Sequence, residues 1–105
     1  MEFVKDLVEK LLEKQEHCFD NIKRLRSNYK KDSASRKSLD YLTSRLETLE
    51  VYWKEFQSNH DILMKSNYTD DKYFQGNTYE HTLAMYNEVR EDILSRKSGL
   101  STNKE

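Results

Sequence analysis

Apolar residues recur along this chain at alternating steps of three and four. Over residues 39–63 they are Leu39, Leu42, Leu46, Leu49, Trp53, Phe56, His60 and Leu63. That spacing predicts a heptad stripe on one helix, the pattern that docks a helix against others. An earlier stripe has the same spacing: Val4, Val8, Leu11, Gln15, Cys18, Ile22, Leu25 and Tyr29, with one polar break at Gln15. Phe3, Leu7, Leu12 and Phe19 widen it into a broader face, which suits a helix with more than one neighbour.

The breaks between stripes set the expected elements. The first helix is predicted over about 2–31, where no helix breaker interrupts. Asp32, Ser33, Ala34 and Ser35 read as a turn, with Ser33 or Ser35 capping a second helix over about 36–65. So short a connection folds the two helices back antiparallel. Residues 67–77 read as a second connection, because Asn67, Asp70, Asp71, Gly76 and Asn77 are turn formers. Tyr68, Tyr73 and Phe74 are expected to anchor it over one end of a bundle.

A third helix is predicted over about 78–97, capped by Thr78 or Asn77. Its less regular stripe is Tyr79, Leu83, Tyr86, Val89, Arg90 and Ile93, supplemented by Met85 and Leu94. Gly99 is the expected stop, followed by a flexible polar tail over 99–105. The expected fold is all-α: a long, coiled-coil-like antiparallel hairpin with a third helix packed against it, one domain over 1–98.

Composition fits that picture. With 105 residues, 35% hydrophobic and 35% charged, no Pro and two Gly, the chain suits a thin helical bundle better than a deep globule. Seven Tyr, four Phe and one Trp, with the regular stripes, argue against disorder. The net charge of −1 predicts no strong global attraction to nucleic acid or membrane. A single Cys excludes an internal disulfide, and Cys18 on the stripe reads as a buried thiol. No run reaches the roughly 20 apolar residues of a membrane span, and no secretory signal is visible. A cytoplasmic or nuclear location is the resulting expectation.

Little in the chain points to catalysis. His17, His60 and His81 are far apart, and no His/Cys pair has zinc-site spacing, so no metal or other cofactor is expected. Two Gly cannot build a phosphate loop, and no Ser/His/Asp order is recognisable. Glu47 and Glu50 lie at helical spacing on a charged face and read as solvated face residues, not as a catalytic pair. His60 reads as a partly buried, hydrogen-bonded packing residue. A non-enzymatic protein without a small-molecule substrate is expected.

Charge is unevenly distributed. From Lys23 to Arg45 there are eight basic residues against two acidic ones, a net of +6. In a hairpin these residues converge at its tip. Lys23, Arg24, Arg26, Lys30, Lys31, Arg36 and Lys37 are therefore candidate contacts for RNA or anionic-lipid phosphates, weak and salt-dependent. The plainer reading is a solvated helix end.

One string carries a resemblance. Asn28-Tyr29-Lys30-Lys31-Asp32 and the following serines lead into Arg45-Leu46-Glu47-Thr48-Leu49-Glu50, Trp53, Phe56 and His60, with Tyr73-Phe74, Tyr79 and Tyr86 beyond. This resembles the N-terminal helical region of Gag polyproteins from insect retrotransposons of the Bel/Pao and Gypsy kinds. In those proteins a basic turn leads into a helix reading R-L-x-x-L-E-x-x-W-x-x-F-x-x-x-H. The resemblance covers about residues 11–94 and rests on a packing motif of moderate specificity.

It implies a structural protein that self-associates by helical packing, a dimer first, either a piece of a Gag precursor or a shortened, domesticated copy. The Cys/His zinc knuckle and a capsid-sized second domain, usual in such precursors, do not occur here. Two other classes stand beside it: a polyanion-binding module using the basic tip, and an adaptor that binds another coiled-coil protein.

Overall fold

The computed structural model describes residues 2–66 and 72–102, with side chains over 6–66 and 72–100. Phe3, Val4, Asn67, Tyr68, Asp70 and Asp71, named above from the sequence, fall outside the described side chains. The elements are α1 (Glu2–Lys31), a 3-10 turn (Ala34–Arg36), α2 (Leu39–Lys65), the short α3 (Lys72–Gln75) and α4 (Thr78–Thr102). Every described element is helical, so the all-α expectation holds. The chain forms a rod of 60 × 21 × 16 Å.

Partners along the seams fix the topology. Gln15 and Cys18 of α1 meet Phe56 and Glu55 of α2, whereas Tyr29 meets Tyr41. Rising numbers in α1 match falling numbers in α2, so the pair is antiparallel. Arg26 and Tyr29 of α1 bond Glu88 and Asp92 of α4, which places α4 parallel to α1. The ends of α1 and α4 and the start of α2 therefore share one end of the rod, the tip. The ends of α2 and the starts of α1 and α4, with α3, share the other, the base.

Both predicted stripes close within the chain. Val8, Leu11, Gln15, Cys18, Ile22, Leu25 and Tyr29 are all buried on α1. On α2 the seven-residue series Leu42, Leu49, Phe56 and Leu63 has no exposed surface. Each such apolar side chain contributes about 1.5–3 kcal/mol relative to exposure. The interleaved series Leu39, Leu46, Trp53 and His60 is half-buried, because it lies at the edge of the α2 stripe. From α4, Tyr86, Val89 and Ile93 complete the tip-side core, and α3 supplies Tyr73 to the base-side core.

Three boundaries differ from the sequence reading. The second helix starts at Leu39, not near 36, because Ser38 is the cap: its side chain accepts the Tyr41 N–H, and a 3-10 turn fills the connection. Ser33 and Ser35 instead bond each other at 2.9 Å. A short α3 interrupts the second connection. It needs Gly76, since a Cβ there would sit 2.8 Å from the Lys72 carbonyl oxygen, and Asn77 follows in the left-handed region at φ 56°.

Finally, α4 runs through Gly99 to Thr102 instead of stopping near 97, so residues 99–102 are helix, not tail. Gly99 has no positive φ to enforce a stop, and Leu100 packs against the tip-side core. That packing offsets the roughly 1 kcal/mol that glycine costs inside a helix.

Candidate functional site

At the base, the polar break at Gln15 becomes the centre of a buried network. Its side-chain amide donates to the Phe56 carbonyl at 2.9 Å and to the Tyr73 hydroxyl at 3.0 Å. The same hydroxyl lies 2.7 Å from His60 Nδ1. Burial pushes the Tyr73 hydroxyl up to about 12, so it keeps its proton. An oxygen that accepts from Gln15 and keeps its proton donates to Nδ1, which selects the neutral His60 tautomer with hydrogen on Nε2. Burial also lowers the affinity of His60 for a proton, partly opposed by Asp61 and Glu80.

Aromatic rings extend this network along the α2–α4 seam. Tyr86 stacks on Trp53 with centroids 4.5 Å apart, and Tyr79 stacks on His60 at 3.9 Å. Trp53 and Tyr79 lie 5.8 Å apart between those pairs. The hydroxyls point outward to polar partners: Tyr79 donates to Gln57 and Tyr86 donates to Glu50, at 2.8 and 2.7 Å. Glu50 also faces Arg90 at 3.5 Å, so it is engaged and not the free, solvated residue its spacing suggests. Trp53 is thus one half-buried ring in a column inside the chain.

Cys18 is buried beneath Glu55, and burial together with that carboxylate raises its thiol to about 12. Such a thiol is a poor nucleophile. Among the described residues no three His, Cys, Asp or Glu side chains come together as a metal site. No described helix is long and apolar enough to cross a membrane.

The tip gathers the candidate basic residues, though not as a free cluster. Glu88 of α4 takes Arg26 at 3.1 Å and Lys30 at 2.5 Å. Bonds from Lys30 and Arg26 hold its carboxyl below the usual range. Lys37 lies over the Tyr29 ring, 4.3 Å from its centroid. The Tyr29 hydroxyl donates to Asp92, which also holds Arg96 at 2.7 Å. Tyr41 donates to Asp32, which also faces Arg45. Lys23, Arg24, Lys31 and Arg36 are exposed and have no ion pair among the described residues. Sequence spacing could not show that α4 returns acidic residues to the tip.

Even so, the rod is polarised. Residues 21–50 and 84–100, the tip half, hold eleven basic and seven acidic residues, a net of +4. Residues 6–20, 51–66 and 72–83, the base half, hold five basic and eight acidic residues, a net of −3. Beside the acidic part of α1 lies a groove of about 680 Å³, with Leu12, Phe19 and Tyr73 among its walls and Lys72 at its far side. Gln15, Asn59 and Thr82, all buried, escaped the apolar pattern because they are polar. Only the seam position of Gln15 hinted at its role.

Comparison of the chain with models of known families, with characterised proteins and with solved structures finds no match.

Proposed function

We propose that this chain is a non-enzymatic helical assembly module that associates through its outer surface. The carrying observation is that both long stripes close inside one chain, so the apolar seams are occupied before any partner arrives. What remains for recognition is a rigid rod with opposite charge at its two ends. The sequence resemblance to the N-terminal helical region of retrotransposon Gag supports assembly as the purpose, and a domesticated, cytoplasmic or nuclear form accords with it. Self-association through the Leu39–Leu63 stripe, which heptad spacing alone would suggest, is disfavoured because that stripe already packs against α1 and α4.

The test is the mass in solution by light scattering over a wide concentration range at low and high salt. Salt-sensitive growth in mass supports surface-driven assembly. A constant monomer mass under every condition rejects it.

A second reading rests on Lys23, Arg24, Lys31 and Arg36, exposed and without ion pairs among the described residues. These suit a weak phosphate-backbone contact. RNA affinity that falls steeply with salt and with neutralisation of Lys31 and Arg36 would favour it over self-association. An adaptor role would show instead as a monomer that binds an added coiled-coil helix.

A further inference from the structure

The solvent face of α1 carries its charges in order. Opposite the buried stripe, Glu9, Glu13, Glu16 and Asp20 follow one another at helical spacing, all exposed. The next positions on that face are Lys23, Arg24, Ser27 and Lys31, also exposed. The face is acidic along its first half and basic along its second. Glu16 reaches Lys72 at 3.5 Å between two exposed side chains, a weak pair. The other charges of this face have no ion pair among the described residues.

A helix face with this order is complementary to itself when reversed. Two copies laid antiparallel set the acidic half of each against the basic half of the other, and the two-fold axis makes every contact twice. With Asp20 opposite Arg24 of the second copy, Glu13 falls opposite its Lys31, seven residues away on both helices. Parallel pairing would set like charges together. The groove lies on the acidic side of this face, where half-buried Leu12 and Phe19 offer apolar surface to the long stems of the incoming Arg and Lys.

We propose that two copies of this chain pair through the outer faces of α1, antiparallel and in that register, the second copy's basic half lying along the groove. This rests on the assembly reading above and names its surface. The contact is mostly charge on charge, so it is weak and salt-sensitive, and it closes at two copies without forming a filament.

Three variants test it by sedimentation velocity, with circular dichroism to confirm helical content. K23E/R24E/K31E makes the face acidic throughout, and E13K/E16K/D20K makes it basic from residue 13 onward. The six-fold variant that combines them inverts the order and restores the net charge of the parent chain. The parent is expected to dimerise at low salt, with the dissociation constant rising roughly tenfold or more from about 50 mM to about 500 mM salt.

Each triple variant is expected to stay monomeric, and the six-fold variant to dimerise again. A parent dimer unaffected by either triple variant, or a folded six-fold variant that stays monomeric, would overturn this pairing. A dimer unaffected by the triple variants would still leave surface assembly standing. A parent that never dimerises would overturn both. Loss of binding to an RNA oligomer in K23E/R24E/K31E, with the parent monomeric, would transfer the basic half to a polyanion.

Discussion

Removing one oxygen, in Tyr73→Phe, probes the base of the rod. The Tyr73 hydroxyl accepts one of the two side-chain N–H bonds of Gln15, a residue with no exposed surface. Gln15 Oε1 already lacks a hydrogen-bond partner among the described residues, so the amide has no slack. Losing the hydroxyl strands a second polar group where water does not reach, at about 1–3 kcal/mol. His60 Nδ1 also loses its partner, and His60 is only half-buried.

A total near 2 kcal/mol follows, or roughly 8–16 °C in melting temperature for a domain of this size. Urea unfolding followed by circular dichroism reads it as a lower midpoint at unchanged slope. Gln15→Leu removes the amide itself, so Gln15→Leu/Tyr73→Phe should cost less than the two single changes together, by about 1 kcal/mol or more. A Tyr73→Phe chain within about 0.5 kcal/mol of the parent, or strict additivity in the double variant, would refute the network.

The remaining predictions concern neighbouring features. His60 is kept neutral by burial, so the folded chain binds fewer protons than the unfolded one; stability is full above pH of about 6.5 and declines as pH falls through that value. A His60→Gln chain should lose that part of the decline, as read by melting temperature between pH of about 7.5 and 5.5. Phe56→Ala, at a site with no exposure, should cost about 3–5 kcal/mol in urea unfolding, and Trp53→Ala less, because Trp53 is only partly buried. Equal losses would mean that the Trp53 ring column carries more than its burial. Gly99→Ala should stabilise by roughly 0.5–1 kcal/mol, since an added Cβ meets nothing within 4 Å, whereas Gly76→Ala should destabilise against the Lys72 carbonyl. Thermal melts of both variants check the opposite signs.

The heptad stripes determined the helices and most of the core, and the short connection between the first two helices determined their antiparallel pairing. Leu42, Leu49, Phe56 and Leu63 are buried because a seven-residue repeat keeps one side of a helix facing its neighbour. The charge order along α1 was also written in the sequence, since solvent-facing positions follow from the buried ones. Tertiary structure decided what local spacing does not encode.

It showed that the stripes close within one chain, because a heptad looks the same whether its partner is covalently linked or not. It joined Gln15 to Tyr73 across 58 residues, turning an apparent flaw in the stripe into a buried bond. It carried Glu88 and Asp92 back to the tip, where they neutralise cations that lie far away in sequence. It also let Leu100 hold a helix through a glycine that local propensity alone would have ended.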